Sequence, residues 1–132
     1  MDVSIASDGL ALHGHLARPR SAPGTPTPGL VLCHGFPSGK GGGRRSAQSY
    51  PELADRIATE LGWTVLVFTF RGCGRSEGSF SLGGWQRDVR AASDWLRANE
   101  EVQGVWLAGF GTGGALSICS ADFNEWVWKT TS

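Results

Sequence analysis

Val105-Trp106-Leu107-Ala108-Gly109-Phe110-Gly111-Thr112-Gly113-Gly114-Ala115-Leu116 is the stretch that decides the fold. Its first four residues form a continuous apolar run, the pattern of a strand buried on both faces. Gly109, Gly111 and Gly113 follow at alternate positions. Thr112 then opens a segment carrying Ala115, Leu116, Ile118 and Cys119. A buried strand therefore passes through a sharp glycine turn directly into a helix. Gly111 at the apex has no side chain, and so no group able to attack an electrophile.

Working outward from this turn, the same alternation recurs. Leu30-Val31-Leu32-Cys33 and Val65-Leu66-Val67-Phe68 are further apolar runs, again suited to strands buried on both faces. Residues 3–5 and 10–16 flank Ser7-Asp8-Gly9, a turn signal, and predict an antiparallel opening hairpin. Ala17–Pro28 is a proline-rich loop. Ser49-Tyr50-Pro51-Glu52 has the form of a capping box and predicts a helix start, with Leu53, Ile57 and Leu61 on one face and Gly62 as its stop. A second helix spans about residues 84–98, with Trp85, Val89, Ala92 and Leu96 on one face. The expected fold class is α/β, a mostly parallel sheet of about five strands with three helices.

Composition narrows the partners. The 132 residues carry 12 Lys plus Arg against 12 Asp plus Glu, so no net field gathers nucleic acid or an anionic membrane surface. The longest apolar run, Trp63 to Phe70, is too short to span a bilayer. The first residues lack the pattern of a signal peptide. Cys33, Cys73 and Cys119 follow no disulfide or zinc spacing and fit a reducing, cytoplasmic setting. No metal or cofactor is expected.

Two further motifs precede the glycine turn. Leu32-Cys33-His34-Gly35-Phe36-Pro37 follows one buried run, and Phe70-Arg71-Gly72-Cys73-Gly74-Arg75-Ser76-Glu77-Gly78 follows another. In this order and at these intervals, over roughly residues 3–120, the chain resembles the N-terminal half of an α/β-hydrolase domain. The glycine turn resembles that family's nucleophile elbow, Gly-x-Ser-x-Gly, with Gly111 in place of the Ser. The resemblance implies that the N–H groups of Phe36 and Thr112 line an oxyanion hole, with a purely structural turn as the equal alternative. It implies that His34 and Gly35 shape the oxyanion loop and that Gly109 and Gly113 frame the elbow.

Complete members of the family cleave esters, amides or related bonds through a Ser-His-Asp/Glu triad, whose acid and His follow the Ser. His13, His15 and His34 all precede Gly111. The resemblance thus implies a truncated domain over 1–120, a catalytically deficient pseudoenzyme and an aromatic tail over 121–132. Thr112, Ser117, Cys73 and Cys119 are conceivable substitute nucleophiles, but none has an identifiable base.

Other readings stand beside this one. Gly109, Gly111 and Gly114 also satisfy the dinucleotide fingerprint Gly-x-Gly-x-x-Gly, which requires a further strand and an acidic residue about twenty positions on. Gly35–Gly41 falls short of a phosphate-binding P-loop, and Gly39–Arg45 reads as a loop with Lys40, Arg44 and Arg45 as surface charge. A binding module for a small acyl or carboxylate ligand, or a bare fragment, are the non-enzymatic alternatives. In the tail, Asp122 and Glu125 are placed to cap a short helix. Phe123, Trp126 and Trp128 either dock over the strand at Val105–Ala108 or mark a lost continuation. If that strand is a sheet edge, self-association follows.

Overall fold

The computed structural model describes residues 1–21, 24–34, 42–110 and 125–130. Strands β1 (Asp2–Ser7), β2 (Leu10–Ala17) and β3 (Thr27–Cys33) are followed by helix α1 (Gly42–Leu61), strand β4 (Thr64–Phe68) and helix α2 (Leu82–Asn99). Strands β5 (Val102–Phe110) and β6 (Glu125–Thr130) complete these elements. They form one sheet in the order β1-β2-β4-β3-β5-β6. β1 and β2 pair antiparallel, and β2 pairs antiparallel with β4. The β3–β4, β3–β5 and β5–β6 pairings are parallel. The sheet is thus mostly parallel and of the expected α/β class.

The apolar runs are buried on both faces because each face carries a helix. On one face Val31, Cys33, Leu66, Phe68, Val105 and Leu107 pack with Trp85, Val89, Ala92 and Leu96 of α2. On the other, Leu32, Val65, Val67 and Ala108 pack with Ala54 and Ala58 of α1. All of β4 is buried. The α2 face therefore matches the predicted spacing. Its start is set by Ser81, whose side chain accepts from the Gly84 N–H at 3.0 Å. Gly62, at φ +74°, closes α1 as expected, its N–H reaching the Ala58 carbonyl.

Several expectations need correction. α1 begins at Gly42, so Ser49 lies inside it and the Ser49–Glu52 pattern is no helix start. Pro51 is interior to the helix and withdraws one N–H. Packing of Tyr50, Leu53, Ala54, Ile57 and Ala58 against the sheet carries the helix through that position. Arg44 and Arg45 accordingly lie on a helix and not in a loop. β3 starts at Thr27, within the stretch read as a loop, with a register irregularity at Thr27/Pro28 that accommodates the proline.

The tail differs most. Glu125 begins a strand and not a helix, and β6 lies parallel to β5 from Val105↔Glu125 to Phe110↔Thr130. Val105–Ala108 is therefore an inner strand with a partner on each side, not the sheet edge. The third expected helix, from Thr112, lies outside the described residues.

Leu107→Ala removes a fully buried side chain from the α2 face and should cost about 2–5 kcal/mol of unfolding free energy. Leu61→Ala at the exposed end of α1 should change stability by no more than about 0.5 kcal/mol. Urea unfolding of both variants checks this ranking, and equal midpoints would contradict the described core.

Candidate active site

Cys33 at the end of β3 pairs with Phe68 on β4 and with Gly109 on β5. The three central strands therefore finish level with one another. His34 and the loop at 69–78 follow two of them, and both emerge at the carboxyl end of the sheet, where β5 also ends. This is where ligands bind in parallel α/β sheets. The described parts of the three motifs quoted above, at 32–34, 70–78 and 105–110, meet at this end. Gly35, Phe36, Gly111, Thr112, Gly113 and Gly114 lie outside the described residues, as do Lys40, Ser117 and Cys119.

His34 is buried, and its Nε2 accepts the Phe70 N–H at 3.2 Å. That bond occupies the Nε2 lone pair and places a neutral ring's proton on Nδ1. The ring meets Phe70 edge-on at 5.0 Å and Trp85 at 5.8 Å, while Phe70 and Trp85 stack at 4.2 Å. Trp85 Nε1 donates to the Arg71 carbonyl at 3.0 Å. His34 thus ties the turn after β3 to the loop after β4 through an aromatic wedge.

That loop is fixed by a buried ion pair that sequence reasoning missed. Asp88, fully buried on α2, accepts the Arg71 guanidinium at 2.8 Å, the Arg71 backbone N–H at 3.0 Å and the Ser7 hydroxyl at 2.7 Å. Arg71 also reaches Asp8 at 2.9 Å, and Asp8 holds Arg87 as well. An acid next to Val89 on an otherwise apolar helix face was the available signal. Gly72, at φ +81°, lets the chain pass against the backbone of Phe80; a Cβ there would stand 2.7 Å from the Phe80 nitrogen. Ser76 Oγ donates to the Thr69 carbonyl at 2.5 Å and accepts the His13 N–H at 2.9 Å. Glu77 exchanges bonds with the Ala11 backbone. The loop is sewn to β2 along its length.

His13 and His15 share one face of β2, with His13 beside the loop after β4 and three strand spacings from β5. His15 Nε2 lies 2.8 Å from Asp55, and His13 Nε2 accepts from Arg75 at 2.6 Å. β4 and β3 separate β2 from β5, about 14 Å at ordinary strand spacing. Cys73 is partly buried, and desolvation pushes its thiol above the ordinary range, which weakens it as a nucleophile. Among the described residues, no group of three or more His, Cys, Asp or Glu is placed to hold a metal ion. A cavity of about 350 Å³ lined by Arg18, Thr27, Thr64 and Glu100 opens at the opposite, amino end of the parallel strands. β6 supplies the strand that a dinucleotide fingerprint requires. However, its carboxyl end carries Lys129 and Thr130 where an acid for the ribose belongs.

Asp88→Ala leaves the Arg71 cation buried without its main partner and should destabilise the fold by roughly 3–5 kcal/mol. Chemical denaturation measures this, and a loss below about 1 kcal/mol would contradict the pair's role. Hydrogen bonds from Arg87 and then Arg71 hold the Asp8 carboxyl below its ordinary range. A depressed carboxylate stabilises the fold above its unfolded value, about pH 4, and loses that effect as pH falls through the folded value. The stability gap between the parent and Asp8→Asn should therefore shrink on acidification below about pH 4, as followed by thermal unfolding.

Comparison with known proteins agrees with this geometry. The Alpha/beta hydrolase family model matches residues 30–127. The chain is 31% identical over 96 residues to a lysophosphatidylserine lipase of Xenopus tropicalis, covering 71% of this chain and 23% of the lipase. It is 36% identical over 84 residues to an uncharacterised protein of Mycobacterium tuberculosis, covering 64% of this chain and 27% of that protein. Among solved structures, an α/β serine hydrolase without a lid from Xanthomonas campestris aligns with a TM-score of 0.71 at 30% identity. That alignment covers 91% of this chain and 54% of the hydrolase. Est1E from Butyrivibrio proteoclasticus aligns at 0.74 and 23% identity, over 89% and 46% of the two chains. The chain spans about a quarter of these curated relatives and about half of the solved ones. With its strand order, its converging loops and a family match over most of its length, this chain belongs to the α/β-hydrolase family.

Proposed function

We propose that this chain is a catalytically deficient α/β-hydrolase, a protein that keeps the family's oxyanion-type end of the sheet and lacks the nucleophile. The observation that carries this reading is the register of β5. Gly109 pairs with Cys33 and β5 ends at Phe110, the residue that precedes Gly111 in the sequence. In the family pattern that position holds the attacking Ser. Glycine there supplies no oxygen and no acyl-enzyme, whatever residues a longer relative adds downstream. N–H groups at Phe36 and Thr112, with the start of the helix after the turn, would favour a carbonyl or carboxylate oxygen at this point. Binding of a small acyl or carboxylate compound without cleavage is the function this arrangement supports.

Loss of the nucleophile in a dismantled protease triad cost roughly a millionfold in turnover, with the remaining catalysis coming from binding and the oxyanion hole. The chain should accordingly hydrolyse an activated aryl ester no faster than its heat-denatured control and take up no fluorophosphonate label. Stoichiometric labelling with saturable turnover would overturn the proposal. Gly111→Ser should restore no appreciable activity in the 132-residue chain. His34 Nε2 already accepts the Phe70 N–H, and His13 and His15 lie on a strand separated from β5 by two others. A large saturable gain in that variant would make His34 a base.

A further inference from the structure

Asp8-Gly9 is the only Asp-Gly step in the sequence, which contains no Asn-Gly. It forms the turn between β1 and β2, where Ser7 pairs with Leu10. Both turn residues are left-handed, Asp8 at φ +51° and Gly9 at φ +76°. In such a step the glycine nitrogen can attack the side-chain carboxyl carbon of the aspartate. The new C–N bond closes a succinimide ring, and the carboxyl oxygen leaves as water. Water then reopens the ring at either carbonyl. Reopening at the α-carbonyl routes the backbone through the side chain and leaves isoaspartate.

The nucleophile of this reaction is uncommitted here. Among the described residues no acceptor takes the Gly9 N–H, and nothing stands within 4 Å of where a Gly9 Cβ would lie. The Asp8 side chain is 43% exposed, so water reaches the turn. The carboxyl, by contrast, is held. Arg87 Nε from α2 lies 2.5 Å from Asp8 Oδ2, and Arg71 Nη2 from the loop after β4 lies 2.9 Å from the same oxygen. Asp88, the remaining charge in this group, is spent on Arg71. Ring closure needs the protonated acid, because a carboxylate would have to expel an oxide. Two guanidiniums on one oxygen favour the ionised form.

We propose that Asp8-Gly9 is a site of spontaneous isoaspartate formation, and that the ion pairs of Asp8 with Arg87 and Arg71 hold it back. The product cannot keep those pairs. Isomerisation adds a methylene to the turn and leaves the free carboxylate on the former α-carbon. Arg71 then retains Asp88 but loses its tie to the hairpin, so the change loosens β1–β2 from the loop beside the candidate site.

The test incubates the native 132-residue chain at neutral pH and reads isoaspartate at Asp8 by fragmentation mass spectrometry of its peptides. The parent should accumulate it more slowly than the same chain unfolded in urea. Arg87→Ala should raise the native rate at least about threefold, while Arg87→Lys, which keeps a cation, should stay nearer the parent. Val89→Ala loosens the same helix at a fully buried side chain without touching the ion pairs, and should leave the rate at the parental level. A native parent as fast as the unfolded chain would overturn the proposal. So would Arg87→Ala at the parental rate, Arg87→Lys as fast as Arg87→Ala, or Val89→Ala accelerated as much as Arg87→Ala.

Discussion

The in-register pairing of Cys33 with Phe68 on one side and Gly109 on the other is the constraint on which the rest depends. Parallel strands joined by crossover helices place all their carboxyl ends on one side. Which residues meet there is set by register alone. A slip of one residue along β5 would turn Val105 and Leu107 from the α2 face to the α1 face. The two faces are not interchangeable. The α2 side takes Phe68, Phe70 and Trp85, while the α1 side takes Ala54, Ala58 and Ala108. Core shape therefore holds the register, and the register sets Gly109 level with Cys33, the residue before His34.

A second level of control lies in the loop after β4. A glycine-rich segment from Gly72 to Gly78 has little side-chain packing of its own, yet Arg71 and Ser76 bind it to α2, β1 and β2. The cost of burying Arg71 and Asp88 is offset only because nearly every polar atom has a partner. Asp88 receives the Arg71 guanidinium, its backbone N–H and the Ser7 hydroxyl together. This is a positioning device for the backbone. It commits Arg71 to holding the loop and not to an anionic ligand.

What the sequence disclosed was what is periodic. The runs at 30–33, 65–68 and 105–108 and the α2 face 85, 89, 92 and 96 were legible because burial repeats along them at the period of each element. The start of α1 was not legible. Ser49 and Glu52 reproduce a cap, and Pro51 suggests a first turn, so local chemistry pointed to a boundary that packing of Ala54 and Ala58 overrides. β6 was hidden for the opposite reason. Six residues with a charge near each end become a strand only where β5 offers a template, and such pairing is not local information. The network of Ser7, Asp8, Arg71, Arg87 and Asp88 was equally hidden, because its members are brought together only by the finished sheet. Of the site, His34 and Gly109 could be placed, whereas Gly111 was legible purely as a substitution in a motif.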